Sequence, residues 1–361
     1  MTLPNDTIRS VKKYIDLPFA YNHWYVAGLV EEFGRELKAR TLLDRSIVFY
    51  RTEKGDLVAM QNRCLHRSFP LSESTLDGDN VICGYHGANY GPDGKMIRFP
   101  WQKTCPKGQL KTYATKEVGQ FVFIWMGAAD ATDESRFPDL SYLEDQSFRT
   151  FYGAKFLEGS YLFMQENLND LTHFAFLHAN TFRFDEQYLE LPVEVTPSGS
   201  SVRLNRIDTN WAEVCKGYPT EVHEAVGDRK IEKHDGGVSV ALGIFKGEAP
   251  LFVKGDEGEQ DQRFDMYIMH YMTPQTKGSA HYWYSLSQNF GQQNDAFYMM
   301  QEALVNQGFD EDTFAVKHMQ ILLDYDSTEM DEISVNADRA GLLFRKAMLD
   351  WVNEELAEAP A

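Results

Sequence analysis

The sequence predicts an α+β chain: an all-β domain first, then a domain of helices packed on an antiparallel sheet. Three observations predict it. From about residue 25 to 126 short apolar runs alternate with turn residues, and periodic helix is nearly absent. Beyond residue 150 a helical pattern, several strand-like runs and a second helical pattern follow in that order. At 361 residues the chain is long enough for two sizeable cores.

Each element has its own signal. IVFYRTEKGDLVAMQNRC places the runs IVFY and LVAM on either side of EKGD, which predicts a hairpin. NYGPDGKMI predicts another, turning at Gly91-Pro92-Asp93-Gly94. GQFVFIWMG suits a buried strand. The polar stretch Ala128–Ser141 follows, and the boundary is placed near residue 150, dividing the chain into 1–150 and 151–361. In the second part FMQENLNDLTHFAFLH carries a helical pattern. VSVALGIF, RFDMYIMHYM and HYWYSLSQNF are strand-like, and KGDEGEQDQR (Lys254–Arg263) is an exposed loop. From about Asp295 the chain is helical again, closing with RAGLLFRKAMLDWVNEEL. No internal repeat is present.

Composition excludes several classes. Hydrophobic content of 43% and charged content of 25% are those of a globular protein. A net charge of −19 argues against nucleic acid as a partner. The N-terminus lacks the pattern of a signal peptide, and no run of about 18 apolar residues exists to span a membrane. Four cysteines do not make a disulfide framework, so the expected compartment is a reducing cytoplasm.

Two of those cysteines and two of the ten histidines fall in matching pairs, Cys64-x-His66 and Cys83-x-x-His86, with sixteen residues between. Such spacings let both side chains of one loop point at one centre. A structural zinc site uses the same residue types. Zinc fingers, however, pair cysteine with cysteine and histidine with histidine. One of each per loop suits a two-iron cluster whose irons take two thiolates and two imidazoles respectively. Gly84 and Gly87 let backbone approach such a cluster.

A second constellation is Asn167-x-x-Asp170-x-x-His173-x-x-x-x-His178. Three residues apart on a helix, Asp170 and His173 would share a face. Five apart, His173 and His178 would diverge by roughly 140° unless the helix bulged or loosened. Two histidines and a carboxylate make a facial triad for iron with open positions. GFDEDTFAVKHMQILL offers Asp310, Glu311 and Asp312; three solvated acids at a helix start are the alternative reading.

The first constellation, with flanks from NHWYVAG at residue 22 to VFIWMG at residue 122, resembles the Rieske domain of the Rieske non-haem iron ring-hydroxylating oxygenases. The resemblance runs from about residue 20 to 350 and is closest to terminal oxygenase components of the vanillate O-demethylase, toluenesulfonate methyl-monooxygenase and dicamba O-demethylase type. It implies a Rieske [2Fe-2S] cluster on Cys64, His66, Cys83 and His86. It implies a mononuclear Fe(II) on His173, His178 and Asp312, with Asp310 and Glu311 as the other choices for the acid. In the family this aspartate opens an amphipathic helix, often after a glutamate. Two departures stand out: Ala88 replaces the usual tryptophan, and Lys317 and Met319 replace the acid and amide that commonly follow the aspartate. Asp170 is expected to support His173 and to reach a cluster histidine of a neighbouring chain, His86 before His66. The resemblance further implies a homotrimer and O2 as co-substrate. Electrons from NAD(P)H would arrive through a separate flavin and iron–sulfur reductase or a ferredoxin. The substrate is expected to be a small aromatic compound, monooxygenated or O-demethylated. The rivals are a cis-dihydroxylating dioxygenase and a Rieske electron-transfer protein with an inactive second domain.

Cys105 and Cys215 are expected to be incidental thiols. His281 is a candidate for the pocket, with core packing as the alternative, and Asn167 a candidate neighbour of the ligands. His23, His223, His234, His270 and His318 carry no signal.

Overall fold

The computed structural model describes residues 3–182, 186–198, 201–210, 217–256, 259–326, 328, 330 and 332–358. The fold is α+β, and the chain divides into two compact units. The smaller comprises Tyr21–Phe137 with Thr273–Thr276; the larger holds the chain up to Ala20, Pro138–Met272 and Lys277 onward. This division differs from a single boundary near residue 150, because long-range hydrogen bonds group distant segments. Leu43 and Asp44 donate backbone N–H to the carbonyls of Pro274 and Gln275, at 2.7 and 3.0 Å. The backbone N–H of Leu3 donates to Asn353, at 2.7 Å, in the larger unit.

The smaller unit is built of short antiparallel strands. β1 (Trp24–Leu29) pairs with β10 (Phe121–Trp125), and β10 with β9 (Thr115–Val118). All five β10 residues are buried, which explains the continuous apolar run in its sequence. β2 (Lys38–Leu42), β3 (Arg45–Arg51) and β4 (Leu57–Gln61) form a second sheet. β3 and β4 are the expected hairpin, in register from Ile47–Gln61 to Arg51–Leu57. A third sheet runs β5 (Thr75–Asp77), β6 (Asn80–Ile82), β7 (Asn89–Tyr90), β8 (Met96–Arg98). Its last turn is the expected one, with Gly94 at φ 77°, where only glycine is unstrained. The core between these sheets contains both Cys64 and Cys83.

The larger unit is an antiparallel sheet in the order β11 (Arg149–Leu157), β19 (Ser279–Gln288), β18 (Met266–Thr276), β15 (Ile244–Glu248), β14 (Ile231–Ala241), β13 (Ser201–Asp208), β12 (Val193–Ser198). Two short strands, β16 (Leu251–Val253) and β17 (Gln262–Phe264), continue from β14. Helix α2 (Tyr161–Leu168) packs against α5 (Asp295–Tyr325) and α6 (Arg339–Glu358); α1 (Val11–Ile15), α3 (Glu186–Glu190) and α4 (Thr220–Val226) are short. Asn294 caps α5 by accepting the Phe297 N–H at 3.0 Å. Gln320 of α5 accepts the N–H of Ser160 at 2.9 Å, pinning the start of α2.

Candidate active site

The two Cys/His pairs sit on loops of the same design. In one, the Ser68 N–H donates to the Cys64 carbonyl at 2.9 Å; in the other, the Gly87 N–H donates to the Cys83 carbonyl at 2.9 Å. The closing residue of each turn is left-handed, Ser68 at φ 60° and Gly87 at φ 72°. Each turn sends its cysteine inward and its histidine outward. Cys64 and Cys83 are 3% and 2% exposed, whereas His66 and His86 face solvent. The Nδ1 atoms of the two histidines converge to 3.2 Å. Two imidazole nitrogens at that distance, above two buried thiols, fit a metal cluster held between the loops. Burial pushes the Cys83 thiol up, while the backbone N–H groups of Tyr85 and His86 favour its thiolate.

Tyr90 completes this site. It is fully buried, and its hydroxyl accepts the Leu65 N–H at 3.0 Å and lies 3.2 Å from Cys64 Sγ. With its acceptor lone pair engaged, the hydroxyl proton is free to point at the sulfur. Ala88, where a tryptophan was expected, is buried beneath the loop. The Phe99 ring meets His66 edge-on at 5.1 Å, and a side chain on Gly87 would strike Pro100.

The second constellation departs from the expected helix. α2 stops at Leu168, because the buried Asn169 turns its amide back to the Gln165 carbonyl at 2.7 Å and to Ser239 Oγ at 3.2 Å. A 3₁₀ turn covers Thr172–Ala175, and another turn begins at His178, whose carbonyl accepts from Thr181 and Phe182. The break, rather than a bulge in a continuous helix, brings His173 and His178 together, with ring centroids 5.1 Å apart.

Asp312 meets them from α5. It lies well inside that helix, not at its opening, and is 3% exposed. Its Oδ1 is 3.1 Å from His178 Nε2 and 3.8 Å from His173 Nε2. One ligand atom from each residue falls within a group spanning 4.8 Å, so the three could hold one metal ion. Burial opposes charge on His178, yet Asp312 and Glu311 outweigh it and raise its pKa. Burial lowers that of His173, with Asp312 offsetting part of the effect.

The neighbouring acids have separate tasks. Glu311 takes the other face of His178, Oε2 to Nδ1 at 2.7 Å, and accepts the Thr181 hydroxyl at 2.6 Å. Asp310 is exposed and pairs with Lys155 at 2.6 Å. The amide of Asn167 donates to Asp312 Oδ1 at 2.7 Å. Both Asp170 carboxylate oxygens accept from the Thr172 hydroxyl, and one from its N–H, while the charge and the backbone of Asp170 favour the protonated form of His173.

These groups open into a cavity of about 290 Å³ between the sheet and α5, with Phe182, Phe245, Ile268 and Phe309 among its walls. His270, which carried no signal in the sequence, lies in this wall. Its Nδ1 is 2.7 Å from the Tyr282 hydroxyl, and burial pushes its pKa down to about 3, so the ring is neutral. Period-two alternation along RFDMYIMHYM, which puts His270 on the face of Ile268, was the signal that could have found it. His281 stacks on Trp283 and is not among the residues lining the cavity. Cys105 is half-buried, with its thiol on the Met96 carbonyl; Cys215 lies outside the described residues.

The fold and the cysteine–histidine loops define a Rieske-type oxygenase, an oxidoreductase with an N-terminal [2Fe-2S] domain: the Rieske [2Fe-2S] domain matches residues 23–114. The vanillate O-demethylase oxygenase C-terminal domain matches residues 157–354, more than half of the chain. The chain therefore belongs to that oxygenase family. The iron–sulfur subunit of the toluene-4-sulfonate monooxygenase system of Comamonas testosteroni is 29% identical over 327 residues, covering 88% of this chain and 93% of that one. A vanillate O-demethylase oxygenase subunit of a Pseudomonas species is 26% identical over 339 residues, 91% and 94% of the two chains. The crystal structure of dicamba monooxygenase bound to 3,6-dichlorosalicylic acid shares the fold, with a TM-score of 0.82 at 22% identity over 94% of this chain and 99% of that one. No helix among the described residues is long and apolar enough to cross a membrane.

Proposed function

We propose that the chain is the terminal oxygenase of a multicomponent system, and that it monooxygenates or O-demethylates a small aromatic substrate at a mononuclear Fe(II) held by His173, His178 and Asp312. The observation that carries the reading is the meeting of two imidazoles and a buried carboxylate at the end of an apolar cavity. Bound there, iron would supply activation of O2, and the Rieske cluster would supply electrons one at a time. The protein's own part is geometric and electrostatic. Glu311 holds the His178 ring and favours Nε2 as the ligand atom. Asn167 holds the carboxylate of Asp312. Phenylalanine and aliphatic walls exclude water and fit an aromatic ring. NAD(P)H would act through a separate reductase or ferredoxin.

The electron path we propose crosses between chains of a homotrimer. Arg67 acts on the exposed His66, and Arg63, Arg98, Lys103 and Lys107 are further exposed cations of the same domain. Asp170 opens on a surface pocket of about 490 Å³ that also holds Glu166, Glu332 and Asp338 around a single Arg345. Opposite charges on these two surfaces favour the tip of one chain docking at Asp170 of the next. Iron analysis tests the catalytic reading. A two-iron cluster plus one triad requires about three irons per chain, whereas an electron carrier with an inactive second domain holds about two. Product mass from turned-over aromatic substrates, with label from ¹⁸O2, separates a monooxygenated product from a cis-diol.

A further inference from the structure

The cavity is longer than one ring requires, and its far end is charged. Three rows of residues in sheet register run beneath it, and Phe245, His270, Gly247, Ile268 and Asp235 of these rows line it. The first is Ser239–Phe245–His270, beside the metal-binding residues; the second is Gly237–Gly247–Ile268; the third begins at Asp235, with Arg206 opposite on β13. From Ser239 to Asp235 is four residues, roughly 13 Å at about 3.3 Å per strand residue. The roof agrees independently. Asp312, Phe309, Val305 and Gln301 line the cavity along α5, and eleven residues of helix span roughly 16 Å. Between the two ends Gly247 leaves room on the floor beside Ile268. Gly247 lines the cavity, and a Cβ there would lie 2.9 Å from the Ile268 carbonyl oxygen, so a side chain at this row is refused.

At the far end Lys233 lies in the cavity wall, 8% exposed. Its ammonium donates to Asp235 and to the His234 carbonyl at 3.0 Å, and its third donor meets no acceptor among the described residues. Arg206 is 1% exposed, opposite Asp235 in strand register and over the Tyr188 ring at 4.3 Å. Asp208, opposite Lys233, is turned to the Asn210 N–H at 2.7 Å. Lys233 pairs with Asp235, Arg206 lies opposite Asp235 in strand register, and Glu248, the other acid of the wall, is taken up by Arg203 and Lys246.

We infer that Lys233 is a specificity-determining residue, and that it binds the anionic end group of an elongated substrate whose reacting end lies at the triad, at the other end of the cavity. The group is a carboxylate or sulfonate on a second ring or on an extended arm. The inference rests on the proposed oxygenase reading, because it takes the triad as the reacting end.

The test uses the metal-loaded, full-length protein and three probes: 4-methoxybenzoate, 4′-methoxybiphenyl-4-carboxylate and the methyl ester of the latter. Binding is measured by calorimetry, and turnover by formaldehyde release with O2 present and a chemical reductant supplying electrons to the cluster. The long acid is expected to bind about tenfold more tightly than its ester or the short acid, as one charge-assisted hydrogen bond allows. Lys233→Met should remove that preference while leaving ester binding unchanged, and Lys233→Arg should restore most of it. If Lys233→Met does not fold, Lys233→Gln, which keeps a donor without the charge, takes its place and should likewise lose the preference. Equal binding of the long acid and its ester overturns the inference, as does a preference that survives Lys233→Met. Lys233-dependent binding without turnover of any probe supports the subsite and counts against the oxygenase reading. Turnover without a preference for length or charge does the reverse.

Discussion

Nδ1 of His178 lies 2.7 Å from Oε2 of Glu311, while the next residue, Asp312, approaches the opposite nitrogen of the same ring at 3.1 Å. Two consecutive acids of one helix thus grip one imidazole from both sides. Glu311 is buried enough to orient the ring and is itself held by Thr181. Glu311→Gln keeps a hydrogen-bonding group but removes the charge. Iron affinity at the mononuclear site should fall by about 10- to 100-fold, with the cluster unaffected. Iron titration of the protein stripped of mononuclear iron, followed alongside the cluster's visible absorbance, checks this.

Asp310 and Asp312 should respond oppositely to removal. Asp312→Ala takes away a buried carboxylate that faces both histidines and should lose the mononuclear iron, leaving about two irons per chain. Asp310→Ala breaks only an exposed pair with Lys155, should cost at most about 1 kcal/mol of stability, and should keep all iron. Iron analysis and thermal unfolding of the two variants decide. Retention of iron in Asp312→Ala would show that another acid completes the site.

Tyr90 should raise the potential of the cluster. A hydroxyl directed at Cys64 Sγ withdraws electron density from a ligand and favours the reduced state. Tyr90→Phe removes that hydrogen bond and keeps the buried ring. A bond worth about 1 kcal/mol corresponds to roughly 40 mV for a one-electron couple, so the midpoint should fall by about that amount. Redox titration followed by electron paramagnetic resonance measures it, and an unchanged midpoint would place the proton elsewhere.

Mixed oligomers report the electron route. His173→Ala disables the mononuclear site and leaves the cluster; His86→Ala disables the cluster and leaves the mononuclear site. Each variant alone should be inactive. Co-expressed, they should recover a fraction of wild-type turnover if electrons cross between chains. Once mass spectrometry has established that folded mixed trimers are present, activity no higher than that of the parents would point to transfer within one chain.

Much of this protein was legible locally. The pairs Cys64/His66 and Cys83/His86 each lie on a single turn, so their spacing alone carried the geometry that brings them together. The hairpin of β3 and β4 and the buried strand β10 were visible for the same reason, since alternation and turn chemistry are properties of neighbouring residues. The family resemblance rested on these local patterns.

What the sequence by itself determined was therefore the class of fold, the residue types of both candidate constellations, and the run of three acids, Asp310, Glu311 and Asp312, from which one would be drawn. Only the tertiary structure decided which way each side chain turns. Asp310, Glu311 and Asp312 are consecutive, and a helix rotates successive residues by about 100°, so one meets solvent, one supports His178 and one faces both histidines. No local pattern chooses among three such acids until α5 is packed against the sheet. The end of α2 is of the same kind. Asn169 stops the helix with a side chain that also reaches Ser239, seventy residues away, and this contact separates His173 and His178 into their own turns. His270 and Lys233 join the cavity through strand register, a pairing between segments distant in the chain. Spacing encodes geometry within a turn; the energy that selects one orientation over another comes from burial and hydrogen bonds between elements, which exist only once the chain has folded.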